Sequence, residues 1–397
     1  MEGVLLSACG LLFVLLSYKA VSAQPLNSTY YQESCYWGSC NSRLSYRAQG
    51  EPTLQGIADL FGVDFYEIMG ANNLDITEAK TLATSKVKNG TLVLVPMKCD
   101  CIDQVRRTNQ TVYKVKKGDT LSYISDTLFG GLVTYPEIGK VNNIVNLDQI
   151  QIDQLLVIPF LCSCPNITAP NPFTVGLTYS VANGDDLSKI ASEFGSDATA
   201  IQTLNNITNP ASLKAAQLIR VPIPACKANF TGGAQDADLV ATKGAYNLTT
   251  PADCVQCKCY GDPTPTLHCV PNPVLDVAQC PSLDCSTNLK IGNFTTKLEA
   301  DGSCDVISCE YKGYLYMGKV DKPISQTTQP TCPAYPAVPG PSTLGTIPGS
   351  TNSTSAPPGS PGSPGGPRAP SSAIASGPQP LLFSALSVAA ASLLLIR

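Results

Sequence analysis

Apolar positions recur three times along this chain with nearly the same spacing. The middle copy reads Tyr113, Val115, Leu121, Ile124, Phe129, Ile138, Leu155 and Ile158. The third reads Tyr179, Val181, Leu187, Ile190, Phe194, Ile201, Leu218 and Val221, and the first Tyr46, Leu54, Ile57, Phe61, Ile68, Leu92 and Val95. Tyr-x-Val in copies two and three alternates as a half-buried strand does. A glycine and an acid follow: Gly118-Asp119, Gly184-Asp185 and Gly50-Glu51. The next apolar residues, Leu121, Ile124 and Leu128 or Leu187, Ile190, Ala191 and Phe194, fall at helical spacing. The Asp after the glycine, or Thr120 in the middle copy, is expected to cap that helix. A second short helix is expected to end near Asn72-Asn73, Asn142-Asn143 and Asn205-Asn206, since Asn tolerates the left-handed conformation of a helix C-terminus. Each copy closes on a strand stopped by proline, at Pro96, Pro159 and Pro222, 63 residues apart both times. A fixed period means one structural unit used three times. The pattern predicts an α+β chain of strand-helix-helix-strand units over 44–97, 111–160 and 177–223.

Units this small are marginal alone, so covalent staples are expected. The chain holds 17 Cys. An apolar run from Val4 to Leu16 followed by Val21-Ser22-Ala23 reads as a secretory signal over 1–23, and its removal takes Cys9 with it. The sixteen that remain suit disulfides in an oxidising compartment. Cys99-Asp100-Cys101 and Cys162-Ser163-Cys164 follow the first and second copies. Residues i and i+2 of an extended linker are poorly placed to bond each other, so each should reach a different partner. With Cys35 and Cys40 they form a set of six, and the ten from Cys226 to Cys332 form a second even set. Cys254-x-x-Cys257-x-Cys259 near His268 has zinc-like spacing, but secretion and the even count favour disulfides in a cysteine-rich region over 226–320.

Charged residues are only 14% of the chain and the net charge is −4, which leaves no basic footprint for nucleic acid. Nine sequons, Asn27, Asn89, Asn109, Asn166, Asn206, Asn229, Asn247, Asn293 and Asn352, would supply surface polarity as glycans. Residues 323–370 carry 13 prolines among Gly, Ser and Ala, which reads as an extended stalk. Small residues Ser371-Ser372-Ala373, a short spacer and the uncharged run Leu381–Ile396 follow. That order is the grammar of a glycosylphosphatidylinositol (GPI) signal, with attachment at Ser371 and removal of 372–397. Ser372 and Ala373 are rival attachment points, and a tail-anchored span is the competing reading.

The Gly-Asp-x-Leu segments, the Ile-x-x-x-Asn-Asn box, the closing prolines and the Cys-x-Cys linkers together resemble LysM domains in triplicate. Without a kinase and with a GPI-type tail, the chain resembles the plant LysM-containing GPI-anchored receptor-like proteins. The resemblance implies three disulfide-linked βααβ LysM modules followed by a cysteine-rich disulfide-bonded region, with bridges Cys35–Cys101, Cys40–Cys164 and Cys99–Cys162. It implies a non-enzymatic receptor on the outer face of the plasma membrane. Its ligands would be N-acetylglucosamine glycans, bacterial peptidoglycan or fungal chitin oligomers, perceived in innate immunity. Signalling would need a transmembrane LysM receptor-like kinase as co-receptor, and oligomers with itself or with related receptor-like proteins are compatible with that reading.

The resemblance also places the sugar between two loops. In the middle copy these are Gly118-Asp119-Thr120-Leu121 and Val145-Asn146-Leu147-Asp148-Gln149-Ile150, whose backbone would bond the acetamido group while Leu147 or Ile150 holds its methyl. Asn206 sits on the equivalent loop of the third copy, and Asn89 lies in an insertion, Ile76–Gly90, of the first. Glycans there would obstruct those grooves, whereas Asn109 precedes the first strand of the middle copy. The middle copy is therefore the expected main glycan site. No catalytic group, cofactor or metal is expected. A glycosidase needs two carboxylates flanking a cleft, and Asp119 and Asp185 read instead as caps or sugar hydrogen-bonders. His268 reads as surface or packing, Tyr113 and Tyr179 as core, and Trp37 as packing on nearby disulfides. A LysM-targeted wall hydrolase and a structural cell-wall glycoprotein are the competing functions.

Overall fold

Strand β1 (Cys40–Arg47) is the hinge of the architecture, because it belongs to the first repeat yet pairs with the third. The structure is a computed structural model that describes residues 35, 36, 38–164, 173–249, 253–261, 265–274, 280–316 and 319–333. The expected leader, Trp37, Asn27, Asn166, Asn352, Ser371 and the C-terminal tail lie outside them.

The first repeat is β1, α1 (Leu54–Phe61), α2 (Phe65–Ala71), an additional helix α3 (Ala79–Thr84) and β2 (Leu92–Ile102). A short strand β3 (Val105–Arg107) folds back on β2. The middle repeat is β4 (Val112–Lys114), a wide helical turn Tyr123–Leu128, α4 (Tyr135–Val141) and β5 (Leu155–Val157). The third is β6 (Thr174–Ser180), α5 (Leu187–Phe194), α6 (Ala198–Leu204) and β7 (Leu218–Lys227). The three copies are not equal beads. β1 pairs antiparallel with β2 and parallel with β6, so the first and third repeats share one sheet, while β4 and β5 pair only with each other. Burial on both faces of β1 takes in Ser42 and Ser45. Ser42 Oγ donates to Gly176 O (2.8 Å) and Ser45 Oγ accepts from Ser180 N (3.1 Å), so both buried hydroxyls are satisfied.

The middle repeat joins through its core instead. Phe61, Phe129 and Phe160 are all fully buried, with ring centroids 5.2–5.5 Å apart. Tyr46 and Tyr113 pack edge-on to Phe61 and Phe129. The middle repeat carries one extra residue between Ile124 and Phe129, five positions against four for Ile57 to Phe61 and Ile190 to Phe194. The helix absorbs it by widening, with Phe129 N–H donating to Ile124 O (3.1 Å), and Phe129 reaches the shared core nonetheless.

Bridges Cys35–Cys101, Cys40–Cys164 and Cys99–Cys162, with Cα atoms 5.7–5.8 Å apart, tie the first repeat to both linkers. They enclose 63–124 residues of sequence, and loops of that length correspond to roughly 4 kcal/mol of chain entropy each. Beyond β7 come β8 (Val240–Thr242), β9 (Tyr246–Thr249), β10 (Val255–Tyr260), β11 (Thr266–Pro271), β12 (Asp284–Ser286), β13 (Leu289–Lys290), β14 (Phe294–Leu298), β15 (Cys304–Cys309) and β16 (Ile324–Gln329). The bridges there are Cys226–Cys259, Cys254–Cys280, Cys257–Cys269, Cys285–Cys309 and Cys304–Cys332. The zinc-like run is thus consumed by disulfides. His268 faces Gly292 O across 3.1 Å and packs near Tyr260.

The expected stalk start at 323 is corrected. Ile324–Gln329 pairs with β15, and Cys332 pins its end to Cys304, so the cysteine-rich fold runs on to Cys332. This region also docks on the first repeat: the hydroxyl of buried Tyr246 donates to Leu74 O (2.9 Å). A Cβ at Gly70 would stand 2.3 Å from Tyr246 O, so only glycine permits this approach.

Candidate functional site: the two-loop groove of each repeat

In each repeat the hairpin register sets the end of the first strand beside the start of the last. In the middle repeat Val115 N donates to Gln154 O (2.9 Å), and Asp153 N donates back to Val115 O (2.9 Å). The loop into the first helix (116–120) and the loop from the second helix (144–154) therefore rise side by side from one end of the hairpin. Equivalent bonds join Val181 with Gln217 and Ala216 in the third repeat, and Ala48 with Thr91 and Gly90 in the first.

The Gly-Asp pair shapes the first loop, and the expectation that its aspartate caps the helix is corrected, while Thr120 caps in the middle repeat as expected. Gly118 and Gly184 take φ of 93° and 85°, which glycine tolerates without strain. Asp119 does not cap the helix. Its Oδ2 accepts from Lys116 N (2.7 Å) and from the Tyr113 hydroxyl (2.8 Å). Asp185 makes the same pair of bonds to Ala182 N (2.7 Å) and Tyr179 Oη (2.8 Å). A turn braced in this way points the carboxylate back at its own strand. The capping falls one residue later, on Thr120 Oγ1 (from Tyr123 N, 3.1 Å) and Asp186 Oδ1 (from Lys189 N, 2.9 Å). Burial and the neighbouring carboxylate push both tyrosine hydroxyls well above the usual tyrosine range, so they remain donors.

The Asn-Asn pair divides its labour. The second Asn of each pair takes the left-handed conformation, with φ of 52°, 55° and 51° at Asn73, Asn143 and Asn206. The first clamps the second helix to the closing strand. Asn142 Nδ2 donates to Ile138 O and Val157 O (2.8 Å each), and its Oδ1 accepts from Val157 N (2.8 Å). Asn72 and Asn205 repeat all three bonds with Ile68 and Leu94, and with Ile201 and Arg220.

The second loop of the middle repeat braces itself. Asn146 Oδ1 accepts from Asp148 N (3.1 Å), and Asn146 O accepts from Gln149 N (3.0 Å). Val145 is left fully exposed, and Asn146, Asp148 and Gln149 are exposed with it. Leu147 and Ile150 are half-buried and pack on the shared core. Leu147 lies so close over Gly139 that a Cβ there would meet its Cδ2 at 2.2 Å. On the first loop Gly118 and Thr120 are exposed, but Leu121 is only 2% exposed, so its side chain belongs to the core and only its backbone borders the groove. The structure also sets Ile152 (59% exposed) on the second loop and Tyr123 (43%) on the helical turn after the first. An apolar residue isolated between Gln151 and Asp153 was the one sequence signal for Ile152.

The first groove is closed by its own insertion. Gly50 N donates to Asn89 Oδ1 (3.1 Å), Val87 N donates to Pro52 O (2.7 Å), and Thr53 bridges Lys86. Among the described residues, no hydrogen bond joins 116–121 to 144–152 in the middle repeat. Asn89 is exposed beside Gly50 at the first groove, Asn206 is exposed just after α6 and ahead of the second loop of the third repeat, and Asn109 is exposed ahead of β4. Asn229 and Asn293 are exposed elsewhere. Asn247 is half-buried in β9, and its side-chain nitrogen, the atom a glycan would occupy, donates to Val240 O.

An exposed glycine turn, a loop with outward polar groups, and apolar side chains at its base can hydrogen-bond an amide and shelter a methyl. Two braced aspartates offer no pair of free carboxylates across a cleft. Comparison with known proteins agrees with this architecture. The NFP/LYK LysM1 domain family matches residues 39–102, and the LysM domain family matches 113–159 and 179–222. LysM domain-containing GPI-anchored protein 3 of Arabidopsis thaliana is 31% identical over 307 residues, covering 77% of this chain and 70% of that protein. LysM domain-containing GPI-anchored protein LYP4 of Oryza sativa subsp. japonica is 32% identical over 73% of this chain and 72% of its own length. The chitin elicitor-binding protein of the same rice is 30% identical over 70% of this chain and 74% of its own. The chain belongs to the plant LysM domain-containing GPI-anchored protein family.

Proposed function

We propose that this protein is a cell-surface receptor that binds N-acetylglucosamine-containing microbial glycans, peptidoglycan or chitin oligomers, in the groove of its middle repeat. The observation that carries this is the inequality of the grooves. Hydrogen bonds from Gly50 N to Asn89 and from Val87 N to Pro52 close the first, and a glycan on sequon Asn206, just ahead of the second loop, would crowd the third. The middle groove has neither obstruction. One of the relatives is named for binding a chitin elicitor, which supports the ligand class. Relatives named as GPI-anchored support a lipid-anchored mature chain, with 1–23 removed, Ser371 carrying the anchor and residues after Cys332 serving as stalk. No helix of the described residues is long and apolar enough to cross a membrane. A receptor of this kind signals in plant innate immunity through a transmembrane LysM receptor-like kinase, which is the expected co-receptor.

The test is glycan pull-down with chitin and peptidoglycan. Asp148→Ala with Leu147→Ala should abolish capture. Leu147 also packs on Gly139, so Val145→Ala with Asp148→Ala, both exposed, is the cleaner variant and should weaken capture several-fold without lowering the melting temperature. Unchanged capture by both variants would show that the sugar binds elsewhere.

A further inference from the structure

We propose that Cys40, Cys99, Cys162 and Cys164 form a thiol–disulfide exchange site, open to a dithiol reductant, at which the bridges Cys40–Cys164 and Cys99–Cys162 convert to a cross-strand bridge Cys40–Cys99. The β1–β2 register sets Cys40 directly opposite Cys99, although each is bonded to the second linker rather than to the other. The sulfurs of Cys40, Cys99 and Cys164 all lie within 4.8 Å of one another. This same chain bonds a cysteine pair in the equivalent opposed position: Cys257 and Cys269 face each other on β10 and β11 and are bridged. Directly opposed side chains in an antiparallel pair have Cβ atoms about 5 Å apart, close enough to bond after a small adjustment.

Exposure decides where the reaction enters. Cys99 and Cys162 are 0% and 1% exposed, whereas Cys40 and Cys164 are half-buried. A reductant thiolate attacks Cys164 Sγ and expels Cys40 as a thiolate. The second thiol of the reductant resolves the mixed disulfide, releases Cys164 as a thiol and leaves the reductant as a disulfide. The Cys40 thiolate then attacks Cys99 Sγ, the Cys99–Cys162 bond breaks, and Cys162 departs as a thiolate that takes a proton from water. Two protein disulfides and one dithiol become one protein disulfide, two protein thiols and one oxidised dithiol. The product frees the 162–164 linker from the first repeat, while the parallel pairing of β1 with β6 still holds the third repeat in place.

The purified full chain is titrated with dithiothreitol, trapped with iodoacetamide and mapped by peptide mass spectrometry. The first partly reduced species should carry label on Cys162 and Cys164, with Cys40 and Cys99 cross-linked. Label on Cys40 and Cys164 with Cys99–Cys162 intact would overturn the proposal, as would label that reaches these four cysteines only in globally unfolded protein. Cys164→Ser supplies a second reading without reductant: its one free thiol should be found at Cys162, and a thiol that stays at Cys40 refutes the exchange. If that variant is not secreted, the wild-type map decides alone.

Discussion

The Asn clamp is used three times with the same bonds but different burial, and that makes its energetics separable. Asn72 is 1% exposed, whereas Asn142 and Asn205 are half-buried. Substitution by Ala removes three hydrogen bonds at each position. One is local to the helix, and two reach the backbone of the closing strand, at Leu94, Val157 or Arg220. A net hydrogen bond is worth about 1 kcal/mol, and a buried group left without a partner costs about 1–3 kcal/mol. Asn142 and Asn205 are themselves partly exposed, so water can enter the space each vacates, and Asn142→Ala and Asn205→Ala should cost about 1–2 kcal/mol. The space vacated by Asn72, which is 1% exposed, is closed to water, so Asn72→Ala should cost about 3–4 kcal/mol. Since 1.4 kcal/mol is a factor of ten, native-state amide exchange at Leu94 should accelerate roughly 100-fold or more, against about 10-fold at Val157 and Arg220. Those are the amides that donate to the clamp, so the assay reads the bond itself. Equal acceleration at the three sites would refute the argument that burial sets the cost, and an unchanged Leu94 amide would refute the clamp.

Two further outcomes follow from particular contacts. Gly70→Ala drives a methyl into Tyr246 O, so the cysteine-rich region should loosen from the first repeat, with a loss of about 2 kcal/mol or more and new proteolysis near 246, while Gly118→Ala, with open space around it, should cost about 1–2 kcal/mol from backbone strain alone. Tyr113 and Tyr179 are held protonated in the fold, so above the unfolded tyrosine value of about 10 the native state binds more protons than the unfolded state and stability falls as pH rises. Absorbance at 295 nm should therefore show these two ionising only with cooperative unfolding, and Tyr113→Phe with Tyr179→Phe should flatten the alkaline loss of stability; simple titration near pH 10 in the native protein would contradict this.

Much of the candidate site was legible in the residues, because local rules act locally. Gly118 and Gly184 mark turns that need positive φ, the Asn-Asn pairs mark helix ends, and the loops between those marks could be placed by number. The role of Asp119 was not legible. A carboxylate beside a helix start caps it or does not according to where the preceding strand presents a hydroxyl, and Tyr113 presents one here. Leu147 shows the same limit: a loop residue by position, it packs on the core it helps to cover, whereas the burial of Leu121 follows the helical spacing of its apolar stripe.

The sequence by itself determined three βααβ units, their loops, the even cysteine sets and the sequons, since periodicity and turn chemistry depend only on near neighbours. Tertiary structure decided the rest: that the first and third repeats share a sheet through β1 and β6, that the middle repeat joins through Phe61, Phe129 and Phe160, and that the first groove is closed by its own insertion. Those outcomes rest on contacts between residues tens of positions apart, whose partners are chosen by space and desolvation rather than by spacing along the chain.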